Sequence, residues 1–195
     1  MNSLTSLKMQ GYSRQGLWSL FLMCAFPIHL WTLILAFRDI SWVSARTNVW
    51  DAIGVASYGL MVAFVESVAL FAVVSLFGLL VSTKWNEERR VALLSVLVLI
   101  MALWAVDGQA YFVWGSYVSA QALWYIASLE HPFRFLYGTV LAIVFLTTAI
   151  PAWLLLKSDR FFQLVQGLME RLSLLTMFYL FFDVVGLIVV VIRNV

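Results

Sequence analysis

Long apolar runs separated by short polar stretches make up most of this chain. An α-helix rises about 1.5 Å per residue, so about 20 apolar residues are needed to cross a hydrocarbon core about 30 Å thick. Five runs are long enough. The pattern therefore predicts five transmembrane helices, at about 17–37, 53–81, 91–113, 135–156 and 172–192.

Two further segments mix apolar and polar residues. The segment at about 114–130 is apolar but contains glycine, serine and glutamine, and it could be a sixth span, a re-entrant turn or a helix at the membrane interface. The segment at about 158–171 places apolar side chains on one helical face, which predicts a cytoplasmic interfacial helix capped by Ser158. The predicted fold is an all-α integral membrane protein, a single transmembrane domain over 1–195 consisting of a bundle of about five transmembrane helices plus interfacial helical segments.

Composition fits a surface that faces lipid. Hydrophobic residues make up 64% of the chain and charged residues only 11%, against about 25% charged residues in soluble domains. The low charged fraction makes the lipid bilayer the expected environment. The net charge of +2 gives no reason to expect nucleic acid as a partner. A single cysteine, Cys24, excludes an internal disulfide and a cysteine-rich metal site.

The positions of lysine and arginine predict how the chain is oriented. With five spans, one side of the membrane holds eight of these residues and the other four; with six spans the division is seven against five. Because basic residues are enriched on the cytoplasmic side, this favours five spans, with the N-terminus cytoplasmic and the C-terminus outside. The expected location is the inner (plasma) membrane of a bacterium. The eight are Lys8, Arg14, Lys84, Arg89, Arg90, Lys157, Arg160 and Arg171, and the four are Arg38, Arg46, Arg134 and Arg193.

Three ionisable side chains fall deep inside the predicted spans. Helical rise places His29, Glu66 and Asp183 roughly 17–20 Å from the start of their spans, close to one level near the middle of the bilayer. A charged group at that depth costs about 2.5–3.5 kcal/mol on insertion scales, so it needs a partner, a proton or a function. Asp107 lies near the outer end of the third span and is predicted to be an acid at the outer interface.

Small residues near these positions predict close helix packing. Gly59, Ala63 and Ser67 recur every four residues along the second span, and Gly186 lies close to Asp183 in the last. We therefore expect the three deep side chains to point into the bundle, with Glu66 and Asp183 facing each other or His29. Such a cluster either holds helices together or binds a ligand or protons.

A cofactor site and a catalytic site are the two further possibilities that the residues raise. His29 could ligate a haem or pigment on its own; shared ligation with the only other histidine, His131, is not expected, because His131 lies in a loop near the outer surface. No cofactor is otherwise predicted. The common nucleophile, metal and nucleotide motifs are missing, so no catalytic residue and no metal site are predicted. Glu66 with Asp183 remains a formal acid pair, so the sequence argues against enzymatic activity without excluding it.

The sequence leaves three interpretations of function. The first is a non-catalytic accessory or scaffolding subunit of a larger membrane complex, with other membrane protein subunits as partners. The second is a small proton-coupled transporter or carrier that uses Glu66 and Asp183, with His29 as a relay. The third, weaker interpretation is a membrane subunit that binds haem or a pigment through His29.

Overall fold

The computed structural model describes residues 12–80, 85–115 and 119–195. Within these residues the chain forms six α-helices and no β-strand. Five of the helices are long and apolar enough to cross a membrane, which confirms the predicted all-α membrane bundle. The helices are α1 (Arg14–Arg46), α2 (Val49–Leu80), α3 (Glu87–Trp114), α4 (Ala120–Ala127), α5 (Pro132–Lys157) and α6 (Asp159–Asn194).

The helices extend beyond the predicted spans because charged residues do not by themselves end a helix. α1 continues past residue 37 to Arg46 and stops only at the turn that contains Thr47 and Asn48. There the Asn48 side chain accepts a hydrogen bond from the backbone N–H of Asp51 at 2.8 Å, and this bond caps the start of α2. The hydropathy pattern therefore located the apolar crossing but not the helix ends.

The segment at 158–171 is not a separate helix. It is the first part of α6, which runs without interruption from Asp159 to Asn194. No proline lies within α6, and a single Gly167 weakens a helix without ending it. Ser158 caps the helix as predicted, because its hydroxyl accepts a hydrogen bond from the backbone N–H of Phe161 at 3.3 Å.

The segment at 114–130 contains the short helix α4. Its 8 residues span about 12 Å, which is too short to cross a bilayer. Ser119 caps this helix by accepting a hydrogen bond from the N–H of Ala122 at 3.2 Å. Residues 116–118, on which the re-entrant alternative also depends, lie outside the described residues.

α1 is the central helix of the bundle. It packs against α2, α3 and α6, whereas α5 lies at the edge and contacts α3, α4 and α6. Only one side chain of α5, Leu155, is buried. The apolar core is concentrated at the end of the bundle where α1, α3 and α6 begin. Its most buried members include Leu20, Leu22, Met23, Val91, Leu94, Leu155 and Val165.

Polar contacts connect neighbouring helices at both ends of the bundle. At the end where α1, α3 and α6 begin, the backbone N–H of Ser13 donates to Glu87 Oε1 at 2.6 Å, and Arg89 forms an ion pair with Asp159. At the opposite end, Arg193 Nη2 lies 2.8 Å from Asp51 Oδ1. These contacts show which helix ends lie together, independently of any assumption about the membrane.

The predicted packing residues lie between helices. Ala63 and Ser67 of α2 are buried, and a Cβ added at Gly59 would lie 3.5 Å from Cγ2 of Thr32 on α1. On α6, a Cβ added at Gly186 would lie 3.5 Å from the backbone oxygen of Ser57. The small residues therefore allow α2 to lie close to both α1 and α6.

Candidate functional site

A buried histidine and a buried aspartate are in direct contact inside the bundle. Nε2 of His29, on α1, lies 2.8 Å from Oδ2 of Asp183, on α6. His29 is 0% exposed and Asp183 is 6% exposed. Two of the three deep ionisable side chains that the sequence singled out therefore form one polar site, which we call the His29–Asp183 pair.

The contact made by the other ring nitrogen of His29, Nδ1, shows that this nitrogen carries a hydrogen. Nδ1 lies 2.9 Å from the backbone oxygen of Ala25, and a carbonyl oxygen can only accept a hydrogen bond, so Nδ1 carries a hydrogen. The Ser67 hydroxyl donates to the backbone oxygen of Ala63 at 2.7 Å. The oxygen of the Ser67 hydroxyl lies 3.4 Å from Nδ1. Because its hydrogen is already donated to Ala63, this oxygen can only accept a hydrogen bond from Nδ1.

It follows that Nε2 of His29 and Oδ2 of Asp183 share one proton. With Nδ1 already protonated, the bond is either an imidazolium donating to a carboxylate or a protonated carboxyl group donating to a neutral imidazole. The second carboxyl oxygen, Oδ1 of Asp183, is buried and has no hydrogen-bond partner within the described residues. A buried oxygen without a partner is costly and calls for an explanation, such as a proton or a functional role.

Glu66 does not point into the bundle, which corrects the prediction for this residue. Its side chain is exposed, and among the described residues it forms no hydrogen bond or ion pair with His29 or Asp183. The neighbouring Ser67 occupies the position of α2 that faces α1, and successive residues on a helix are rotated by about 100°. Glu66 consequently faces two clefts on the side of the bundle.

The first cleft lies between α2 and α3, with α1 as its floor. It has a volume of about 640 Å³. Its walls are almost entirely apolar; α2 contributes Glu66 and Phe77, and α3 contributes Leu97, Met101 and Gln109. α2 and α3 contact each other only sparsely, so the cleft is open to the side.

A second cleft, of about 430 Å³, lies between α1 and α2 and reaches the helix ends beside the α1–α2 turn. Trp31, Thr32, Glu66 and Gln109 line both clefts. The two clefts are therefore neighbouring parts of one groove, with Glu66 where they meet. Nε1 of Trp31 is buried and has no hydrogen-bond acceptor in the described parts of the chain.

Asp107 stands apart from these features. It is exposed on α3, it lines neither cleft, and α3 continues beyond it to Trp114. The structure therefore brings His29 and Asp183 together, places Glu66 one helix face away, and leaves Asp107 outside the site.

The surroundings of His29 bear on the haem and pigment interpretation. Both ring nitrogens are engaged, one with Ala25 and one with Asp183, so an axial ligand bond to His29 would require one of these contacts to break. His131 is exposed at the start of α5. Over residues 12–80, 85–115 and 119–195, no group of three or more histidine, cysteine, aspartate or glutamate side chains is placed to hold a metal ion.

Sequence reasoning missed Trp31 and Gln109 as members of the groove. A glutamine within an apolar span was the available signal for Gln109, whereas nothing in the local pattern distinguishes Trp31 from the other tryptophans. Comparisons with protein-family models, curated proteins and solved structures find no match to this chain.

Proposed function

We propose that this protein is a small proton-coupled carrier in which the His29–Asp183 pair holds the coupling proton. The observation that supports the proposal is the buried bond between His29 Nε2 and Asp183 Oδ2, which accommodates a single proton between two ionisable groups. A titratable pair inside an apolar bundle is typical of proton relays in pumps and transporters.

The position of the pair beside the groove supports a link between protonation and binding. On α1, Ile28 lines the first cleft and the next residue is His29. On α2, Glu66 lines both clefts and the next residue, Ser67, contacts Nδ1 of His29. A change in the charge of the pair therefore acts on groups one residue away from the groove. If the proton on the pair changes the affinity of the groove for a ligand by some factor, the bound ligand changes the affinity of the pair for its proton by the same factor.

Nitrogen NMR of the two histidines tests the proposal directly. We expect the Nε2 signal of ¹⁵N-labelled His29, in the full chain in a lipid bilayer, to change its protonation between about pH 5 and about pH 9, while Nδ1 stays protonated. The exposed His131 provides an internal reference in the same sample. Asp183→Asn removes one of the two sites for the proton, and we expect the pH-dependent change at His29 to disappear from this range.

A His29 signal that stays constant over the whole range would contradict the carrier. It would show that the pair keeps one protonation state and only joins α1 to α6. Asp107→Asn, at an exposed position outside the site, is the matched control and should leave the His29 titration unchanged.

We also propose that the chain resides in the inner (plasma) membrane of a bacterium, with its N-terminus in the cytoplasm. The support for the orientation is the distribution of the basic residues, because six of the ten within the described residues belong to the half of the bundle that holds the starts of α1, α3 and α6. The positive-inside tendency places that side in the cytoplasm. The α1–α2 turn and the end of α6 then lie outside.

The accessory-subunit interpretation is a second candidate, and one observation favours it. α5 buries only Leu155 and packs along one edge, so most of its apolar surface is free to contact another membrane protein. The mass of the solubilised complex separates the two candidates. A stable monomer or homodimer agrees with the carrier, whereas stable association with a different subunit supports the accessory role.

A further inference from the structure

We infer that the groove lined by Glu66 binds a lipophilic cation, a compact apolar molecule with a positively charged centre. This inference rests on the proposed carrier function only where it calls the bound molecule the cargo of the carrier. The evidence for the binding site comes from the groove alone.

The size of the groove matches a small molecule. The first cleft holds about 640 Å³, within the range of about 300–1,000 Å³ that is typical of small-molecule sites. A transmembrane helix about 30 Å long and 10 Å across occupies roughly 2,400 Å³. The cleft is therefore too small to receive a whole helix of a partner protein.

The lining of the groove selects an apolar body. α2 and α3 present Leu70, Val73, Leu97 and Met101 on facing walls, so a polar molecule would lose its hydration without new hydrogen bonds. Trp31 contributes an aromatic ring where the two clefts meet. Faces of such rings attract cations, most strongly where water is excluded.

Glu66 selects a positive charge. Glu66 lines both clefts, and within the described residues its carboxyl group forms no hydrogen bond or ion pair. A carboxylate in apolar surroundings is stabilised by a cation at close range and repels an anion. Glu66 is the ionisable residue common to both clefts. Asp39 lines the second cleft only and is paired with Arg38, so among the described residues Glu66 is the unpaired acid of the groove and favours a positive charge.

Binding of two ions of matched shape and opposite charge tests the inference. Tetraphenylphosphonium and tetraphenylborate are both apolar and nearly the same size, so only the sign of the charge differs. We expect the purified full chain in detergent to bind tetraphenylphosphonium in equilibrium dialysis, and we expect Glu66→Gln to weaken this binding at least about tenfold. Because Glu66 is exposed, the substitution should not disturb folding.

Two control variants locate the effect. Asp107→Asn removes a neighbouring negative charge outside the groove and should leave phosphonium binding unchanged. Ala105→Leu, which adds bulk to the wall of the first cleft, should weaken phosphonium binding without any change of charge. Tetraphenylborate should bind more weakly than tetraphenylphosphonium to the wild type, and this difference should become smaller in Glu66→Gln.

Equal binding of tetraphenylphosphonium by the wild type and by Glu66→Gln would overturn the inference. The inference would also fail if the wild type bound tetraphenylborate at least as tightly as tetraphenylphosphonium. These failures are distinct from failure of the carrier. Phosphonium binding that depends on Glu66, together with an invariant His29 signal, leaves a cation site without proton coupling. A titrating His29 without phosphonium binding keeps the proton-coupled carrier and removes this class of cargo.

Discussion

The two nitrogens of His29 have separate roles. Nδ1 is anchored by Ala25 of its own helix and by Ser67 of α2, which fixes the orientation of the ring and leaves Nε2 to face Asp183. A ring held in this way can gain or lose a proton at Nε2 without turning. The pair therefore combines a rigid position with a changeable charge, which is what a proton-binding site in a membrane requires.

A double-mutant cycle measures the coupling within the pair. His29→Phe or Asp183→Leu alone leaves a buried polar group without its partner, and we expect each to lower the free energy of unfolding by about 1–3 kcal/mol. The double variant leaves no such group, so its loss should be smaller than the sum of the two single losses. Unfolding in detergent, followed by circular dichroism, provides the measurement.

Additive losses would mean that the two side chains do not interact. As a control, His29→Phe combined with Asp107→Leu should be additive, because Asp107 is exposed and forms no hydrogen bond or ion pair with either member of the pair within the described residues.

Helical rise predicted which side chains share a depth, but it did not predict which of them share a face. His29 and Asp183 were expected at one level, and they are bonded to each other. Glu66 was expected at the same level, yet it faces the groove because Ser67 takes the position toward α1. A single residue step rotates a side chain by about 100°, and the choice between neighbouring positions depends on which helix packs there. That information is tertiary and cannot be obtained from one span.

At the scale of helices, glycines determine how closely α2 lies to its neighbours. A Cβ at Gly186 would meet the backbone oxygen of Ser57 at 3.5 Å, an ordinary contact. A Cβ at Gly78 would lie only 2.7 Å from Cδ1 of Leu94 and would also collide with the hydroxyl of Tyr12. The two glycines therefore have different tolerance, although both are buried in a helix interior.

Alanine substitutions should separate these two positions. We expect Gly186→Ala to leave the thermal unfolding midpoint unchanged or raise it, because alanine is favoured over glycine in a helix by up to about 1 kcal/mol. Gly78→Ala should destabilise the protein by about 1–3 kcal/mol through overpacking. Gly138→Ala, on α5 with no atom within 4 Å of the added Cβ, is the reference. Equal midpoints for the Gly78 and Gly186 variants would contradict the packing described here.

The number of membrane-crossing helices was predictable from the sequence, whereas the ends of the helices were not. Hydropathy reports where a segment can be in contact with lipid, but a helix continues outside that zone until a cap or a breaker stops it. α1 consequently runs to Arg46 and α6 begins at Asp159. The groove was beyond sequence reasoning for a related reason, since it arises from the sparse contact between α2 and α3, which no single helix encodes.

For the whole molecule, tight packing at one end contrasts with open surface toward the other. The core cluster joins the first halves of α1, α3 and α6 to Leu155 near the end of α5. Beyond it, α3 exposes Met101 and Leu103, and α5 exposes most of its first half. The apolar core is thus concentrated at one end, whereas at the other end the Arg193–Asp51 ion pair joins α6 to α2.

Labelling of single cysteines tests the orientation of the bundle. Native Cys24 is fully buried, so its background labelling by a membrane-impermeant maleimide should be low. In intact bacterial cells that express the full chain, we expect labelling at Thr47→Cys and Val195→Cys. Gln15→Cys and Asp159→Cys, at the opposite end of the bundle, should react only after the membrane is opened. The reverse pattern would contradict the proposed orientation. If intact cells showed labelling at only one of Thr47→Cys and Val195→Cys, and at only one of Gln15→Cys and Asp159→Cys, five crossings would be contradicted.

The pairing of α1 with α6 has a consequence for biosynthesis. The ribosome delivers His29 to the membrane early, and Asp183 emerges only after every other long helix has been made. Until then the imidazole has no acidic counterpart, so a nascent chain interrupted before α6 retains an unmatched polar group in the bilayer. Synthesis of α6 is thus the step that supplies the partner of His29, and a chain that lacks α6 should be less stable than one that contains it.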